Sequence, residues 1–318
     1  PLEALQTEPC PSRRSLARKL IFVAIPITIG SMIMPIASYI DSAMIPRRLA
    51  VAGFAPQMAT KLYGMLTGCA VTLINVPTAL ATAICIGLVP TISAAHMKNS
   101  PEQMNHASML GLRMGSLIGF PCAAGMSLLS MEIINLLYRI PADEIAITGR
   151  ILSLSALTIL PFTLVQATTG VLQGVGKQKI PMYSLVAGVA CKIVLNFLLV
   201  AVPSLNVYGA PVSSMVCYTV STAVNLWYIG VKLRIRLKWD ELLLRPGVAT
   251  LGMAAAVWGT TQLLDMQRRA NTIVAVAIGV IVYFAVALAV GAVRRSDLKQ
   301  VPGGRKLEKL MLKLRLWR

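Results

Sequence analysis

Lys192 is the residue in this chain hardest to explain as packing. In SLVAGVACKIVLNFLLV it lies about twelve residues into an otherwise uncharged run, one helical turn before Asn196, so both side chains point to one helix face. An ammonium at membrane depth is expensive and stands as a functional candidate by default. Such a lysine either faces a cavity, where it attracts an anionic head group, or is structural, paired with a carbonyl or snorkelling to the surface. Asp41, in PIASYIDSAMIPRRL, offers a carboxylate that binds a proton or cation, or else a helix-end charge that balances Arg47 and Arg48. Arg113 sits close enough to one end of its apolar run to snorkel, and Arg150 has a comparable place on the opposite side. Asn75, Gln166, Gln173 and Asn225 are uncharged polar residues in or beside apolar runs, where hydrogen bonds between helices account for them as readily as substrate contact.

Signatures of catalysis are lacking. His96 and His106 fall in one loop without a credible ligand partner, so no metal site, cofactor or catalytic residue is expected. LQGVGKQKIP has glycines at 174 and 176 but not the spacing of a phosphate-cradling loop, and reads as a tight turn. None of the six cysteines forms a CxxC pair, and five lie in apolar runs, as packing residues do. The chain is not expected to be an enzyme.

The elements that must position these residues follow from hydropathy. The 318 residues are 56% hydrophobic and 13% charged, with a mean hydropathy of +0.71. That is too apolar for a water-soluble domain of this size. A bilayer core takes about 20 helical residues, and runs of that length predict an all-α integral membrane fold of about eight transmembrane helices. They are placed at 20–46, 65–93, 107–130, 144–172, 180–202, 209–231, 247–264 and 272–293. Counted on alternate sides of these spans, 22 basic residues collect on one side and seven on the other. Both termini are therefore expected in the cytoplasm, in a multi-pass protein of the plasma membrane. The same asymmetry explains the net charge of +18 without nucleic acid as a partner. Pro26 and Pro35 in the first span, Pro77, Pro121 and Pro161 predict kinks, and the pair in the first span suggests a functional bend.

Residues 1–19 read as a cytoplasmic linker, 20–293 as the transmembrane unit and 294–318 as a basic tail. Within that tail RKLEKLMLKLRLWR sets Leu307, Leu310, Met311, Leu314 and Trp317 opposite Lys306, Lys309, Lys313 and Arg315. Such a helix is expected to lie on anionic membrane lipid.

Residues 166–230, from QATTGVLQGVGKQKIP through KIVLNFLLV to NLWYIG, resemble the polysaccharide-exporter branch of the MOP flippases. PRRLAVAGF, ATKLYGMLTG, the Pro77 region and GLVPTIS resemble its stage V sporulation protein B subgroup, and the matching stretches cover most of 20–231. The resemblance implies a transporter of two lobes around a central cavity, like the MATE proteins, of which this chain is similar to the C-terminal lobe alone. The missing N-terminal lobe is then a partner. It implies a lipid-linked oligosaccharide or peptidoglycan precursor as anionic cargo, moved by alternating access, with Lys192 in its KIxLN context as the first binding candidate, Asn196 beside it, and Arg113 and Arg48 behind. Ala94 departs from the acidic residue expected after GLVPTIS and weakens an ion-coupling role there. Two other readings stay open: a cation-coupled multidrug extruder of the same superfamily with Asp41 as the coupling carboxylate, and a non-transporting scaffold for cell-envelope enzymes docked through the basic tail.

Overall fold

Apolar runs of this length, interrupted only by Gly, Pro or a polar turn, have one way to satisfy their backbone in hydrocarbon, which is to form helices. The computed structural model describes residues 12–264 and 269–292 and has eleven α-helices among them. They are α1 (Arg13–Val51), α2 (Pro56–Gly64), α3 (Thr72–Met97), α4 (Pro101–Leu128), α5 (Ser130–Leu137), α6 (Ala142–Ala156), α7 (Ile159–Gly174), α8 (Lys179–Leu199), α9 (Gly209–Trp227), α10 (Arg245–Leu263) and α11 (Arg269–Ala289). A π-helical turn, Met65–Val71, joins α2 to α3; two more, Tyr228–Lys232 and Asp240–Leu244, extend α9 and lead into α10.

Six of these helical segments are long and apolar enough to cross a membrane: Pro56–Met97, Pro101–Leu128, Ala142–Gly174, Lys179–Leu199, Asp240–Leu263 and Arg269–Ala289. The expected spans 20–46 and 209–231 are also helical, as α1 and as α9 with its π turn. In α9 five Ser and Thr residues and Asn225 dilute the apolar content, and Ser213, Ser221, Thr222 and Asn225 are all buried against protein. Helix α1 starts at Arg13, inside the stretch read as a linker, because nothing between Arg13 and Leu20 breaks a helix. It also runs unbroken through Pro26 and Pro35. Pro77 and Pro90 lie within α3 and Pro121 within α4, whereas Pro161 follows the break between α6 and α7 at Leu157–Thr158. The basic tail lies outside the described residues.

Two apolar cores close the bundle at its ends. At one, Ile45 and Leu49 of α1 pack with Leu62, Ile134, Ile151 and Val207, and the short α5, which sequence alone left as a loop, belongs to this cluster. At the other, Leu88 and Ile92 of α3 meet Leu110, Val171, Ile229 and Ile235. Helices α10 and α11 form a hairpin around Met253, Val257, Ala275 and Tyr283, and Tyr283 Oη donates to the Leu117 carbonyl of α4 at 2.9 Å.

Between the two ends α8 is sandwiched by α1 and α9. The α8–α9 crossing is close because position 188 is glycine: a Cβ there would stand 2.5 Å from both the Cys217 carbonyl oxygen and Ser221 Oγ. Ser184 Oγ donates to Asn225 Oδ1 at 2.8 Å, Asn225 Nδ2 donates to Thr168 Oγ1 at 3.1 Å, and Ser221 Oγ lies 3.0 Å from the Ser184 carbonyl. This chain of hydrogen bonds ties α7, α8 and α9 and fixes the turn of α8 that precedes Lys192. Replacing Gly188 by Ala pushes α8 from α9 and lowers stability by about 1–3 kcal/mol, read as a drop in the thermal midpoint of the detergent-solubilised protein.

Candidate functional site

Helices α1 and α8 face each other along a row of polar side chains. Lys192 Nζ reaches Asp41 of α1 at 2.5 Å, and Asn196 Nδ2 donates to the second oxygen of the same carboxylate at 2.9 Å. The i, i+4 spacing read from sequence thus gives two donors that grip one carboxylate in a fork. The Lys192 side chain is 9% exposed and that of Asp41 13%. Asn196 is fully buried, and its Oδ1 has no hydrogen-bond partner within the protein.

Asp41 and Lys192 line a cavity of about 180 Å³ enclosed by α1, the α2–α3 segment, the α6–α7 junction, α8 and α9. Its wall is rich in hydroxyls: Ser38, Tyr63, Thr67, Thr158, Ser214 and Tyr218 all line it, as does Asn75. The π turn Met65–Val71 contributes Leu66, Thr67 and Val71. Such turns insert a residue into a helix and are frequent at functional sites. Phe162 and Tyr218, edge to face at 5.0 Å, form its apolar side. The result is a small polar chamber whose two formal charges cancel.

The remaining candidates disperse. Arg48 does not enter the chamber: its Nε donates to the Phe197 carbonyl at 2.9 Å and its guanidinium lies 3.8 Å from the Phe197 ring centre. Arg48 is therefore not the counter-charge of Asp41, and Arg47 is exposed. Arg113 does not snorkel. It is 4% exposed and pairs at 3.1 Å with Glu241, itself 5% exposed, which Lys238 approaches at 3.5 Å. A guanidinium held this way supports the start of α10 and stands apart from the Lys192 chamber. Gln166 donates to Thr82 Oγ1 at 2.8 Å, an α7–α3 tie; with Gln173 it lines a second cavity of about 260 Å³. Arg150 is exposed. Among the described residues no three of His, Cys, Asp and Glu come together to hold a metal ion.

A family model described as "Lipid II flippase MurJ" matches residues 4–281. The chain belongs to this family. Among curated relatives, the lipid II flippase MurJ of Bacillus subtilis (strain 168) is 24% identical over 303 residues, which cover 92% of this chain and 55% of that protein. Stage V sporulation protein B of the same organism is 22% identical, over 89% of this chain and 54% of its own length. The chain thus spans about half the length of the curated relatives it matches. Among solved structures, a MATE protein in complex with MaL6 superposes with a TM-score of 0.55 at 16% identity, covering 92% of this chain and 66% of that one. A MOP superfamily transporter from Pyrococcus furiosus gives 0.56 at 14% identity, over 90% of this chain and 66% of that one. These likenesses give the fold: an all-α membrane bundle of the MATE kind.

In this MurJ-family chain the chamber holds several residues that sequence reasoning passed over. Tyr63, Thr67, Thr158, Ser214 and Tyr218 are ordinary in membrane helices, and only their convergence on Asp41 and Lys192 sets them apart. The cue available in sequence was the hydroxyl content of 209–222, which departs from that of its neighbours. Removing one partner of a buried pair leaves an uncompensated charge and costs about 3–5 kcal/mol, whereas replacing both by apolar residues is far milder. Asp41→Leu and Lys192→Met are each expected to destabilise by that amount, and the double variant by less than either. A double-mutant cycle on thermal unfolding in detergent checks this, and additive losses would refute the pairing.

Proposed function

We propose that this chain is one lobe of a flippase for lipid-linked oligosaccharide or peptidoglycan precursors, which acts by alternating access together with a second lobe. On this reading it lies in the plasma membrane with both termini in the cytoplasm. The observation that carries the proposal is the Lys192 ammonium, held at the wall of a polar chamber inside an apolar bundle. An ammonium has three N–H donors, and Asp41 takes one of them in a defined direction. The other two are available to oxygens of an anionic cargo such as a pyrophosphate, while the carboxylate keeps the lysine charged and oriented when the chamber is empty. The hydroxyls that line the chamber with Lys192 suit the polar groups of a sugar or a phosphate ester. Family membership supports the cargo class, since the matching relative is described as a lipid II flippase.

The rival reading, a cation-coupled extruder with Asp41 as its coupling carboxylate, is supported less well. Asp41 already has a fixed cation in Lys192, so an external ion would have to displace an attached one. Arg48 and Arg113, committed to Phe197 and Glu241, are assigned to support rather than to cargo contact.

In the complete protein, Lys192→Ala is expected to lower translocation of a fluorescent lipid-linked precursor in proteoliposomes by at least about tenfold. Lys192→Arg, which keeps the charge, should restore part of it. Wild-type flux from Lys192→Ala would overturn the assignment. Flux that collapses without a sodium or proton gradient, and again in Asp41→Asn but not in Lys192→Ala, would favour the extruder.

A further inference from the structure

Beyond the chamber an apolar groove of about 870 Å³ opens between α4, α7, α9 and α10. Its size is that of a ligand site. Its walls are hydrocarbon, with Phe120, Leu164, Met215 and Leu226 among them, and its only hydroxyls are threonines. All three are already engaged: Thr219 donates to the Met215 carbonyl, Thr222 to that of Pro161 and Thr250 to that of Pro246. No hydroxyl in the groove asks for a partner, and its hydrocarbon walls suit an aliphatic chain.

One end of the groove is closed by a strap, residues 233–239, strung between the π turns Tyr228–Lys232 and Asp240–Leu244. The strap is pinned from below. Ile235 is buried in the end core with Ile229, Leu237 lines the groove, and the Arg236 backbone N–H donates to Asn105 Oδ1 at 2.8 Å. Arg234 holds a backbone φ of +54°, uncommon for a side chain with a Cβ, as the chain turns into this path. Lys232, Arg234, Arg236 and Lys238 are left exposed between these anchors. The neighbouring carboxylates are used elsewhere, Asp240 by Arg245 and Glu241 by Arg113 and Lys238. Among the described residues Lys232, Arg234 and Arg236 have no carboxylate partner. Trp227 and Trp239, both at the groove and both more than half exposed, flank the mouth as aromatic side chains do at a membrane interface.

We infer that groove and strap together form a binding site for an anionic diacyl phospholipid of the surrounding bilayer, an acyl chain in the groove and the phosphate on Lys232, Arg234 and Arg236. The charge pattern selects this occupant. A purely apolar partner would leave three unpaired cations at the rim, and a zwitterionic lipid would bring its own ammonium to them. The site is separate from the Lys192 chamber, which shares no lining residue with it.

The test uses the complete protein in neutral detergent, with thermal unfolding followed as phosphatidylglycerol or phosphatidylcholine is added. Phosphatidylglycerol should raise the midpoint and phosphatidylcholine should do so much less. Neutralising Lys232, Arg234 and Arg236 to Gln should weaken the phosphatidylglycerol response by about fivefold in apparent affinity per residue. Ala223→Trp, which fills the groove from an exposed position on α9, should abolish the response; Thr219→Trp on the same wall gives the same reading if that variant does not fold. Equal responses to the two lipids, or a wild-type response from either the strap or the groove variants, would overturn the site. So would displacement of bound phosphatidylglycerol by an equimolar single-chain polyprenyl pyrophosphate, which would give the groove to the cargo instead.

Discussion

The arrangement of this helical bundle depends on where one carboxylate meets one ammonium. Asp41 and Lys192 are 151 positions apart in sequence, on helices that cross in the middle of the bundle. Neither charge is tolerable alone in hydrocarbon, because desolvating a single ion costs several kcal/mol more than its surroundings return. Placing them together removes that penalty and at the same time fixes how α1 lies on α8. Asn196 then takes the second carboxylate oxygen, so the contact has a direction as well as a sign. The tight α8–α9 packing at Gly188 and the Ser184–Asn225–Thr168 bonds hold the lysine side of this contact from behind. Movement of α1 against α8 must therefore work against the ion pair.

A second buried pair, Arg113 with Glu241, does comparable work for a different part of the molecule. It ties α4 to the π turn that begins α10 and so seats the α10–α11 hairpin, which also leans on α4 through Tyr283. The two pairs divide the bundle: one lies against a chamber, while the other is shut between helices. Both consist of opposite charges inside an apolar bundle, and what distinguishes them is their surroundings, a cavity lined with hydroxyls for the first and packed helices for the second.

Much of this was legible in the sequence. The apolar runs marked the helices, with boundaries off by as much as nine residues at the start of Pro56–Met97 and with 144–172 divided into α6 and α7, and the fold followed from them. Position 192 was conspicuous because charge is rare there, and its spacing to Asn196 gave their shared face. What could not be read was which residue lay opposite. Asp41 had Arg47 and Arg48 close by in sequence, and local proximity suggested the wrong counter-charge, since Arg48 turns to Phe197. Arg113 looked able to reach the surface because its span was expected to begin at 107, but α4 begins at Pro101 and the partner Glu241 lies 128 positions away. Helix α5 and the basic strap escaped notice for another reason: both are too short to register as spans, and each owes its conformation to the core it covers. Pairings distant in sequence and segments ordered by tertiary contact are what hydropathy does not encode.

The π turn at Met65–Val71 gives the chamber wall a kind of slack. One surplus residue is stored in the long helical segment Pro56–Met97, directly beside the cavity, and Gly64 before the turn and Gly68 within it have open space around them. Passing that residue along the helix beyond Thr78 would rotate the residues it passes by about 100°, and no others, without breaking the rod. Asn75 and Thr78 would sweep past the chamber like teeth on a turning key, and the set of polar groups offered to its contents would change while the helix ends stayed where the two apolar cores hold them.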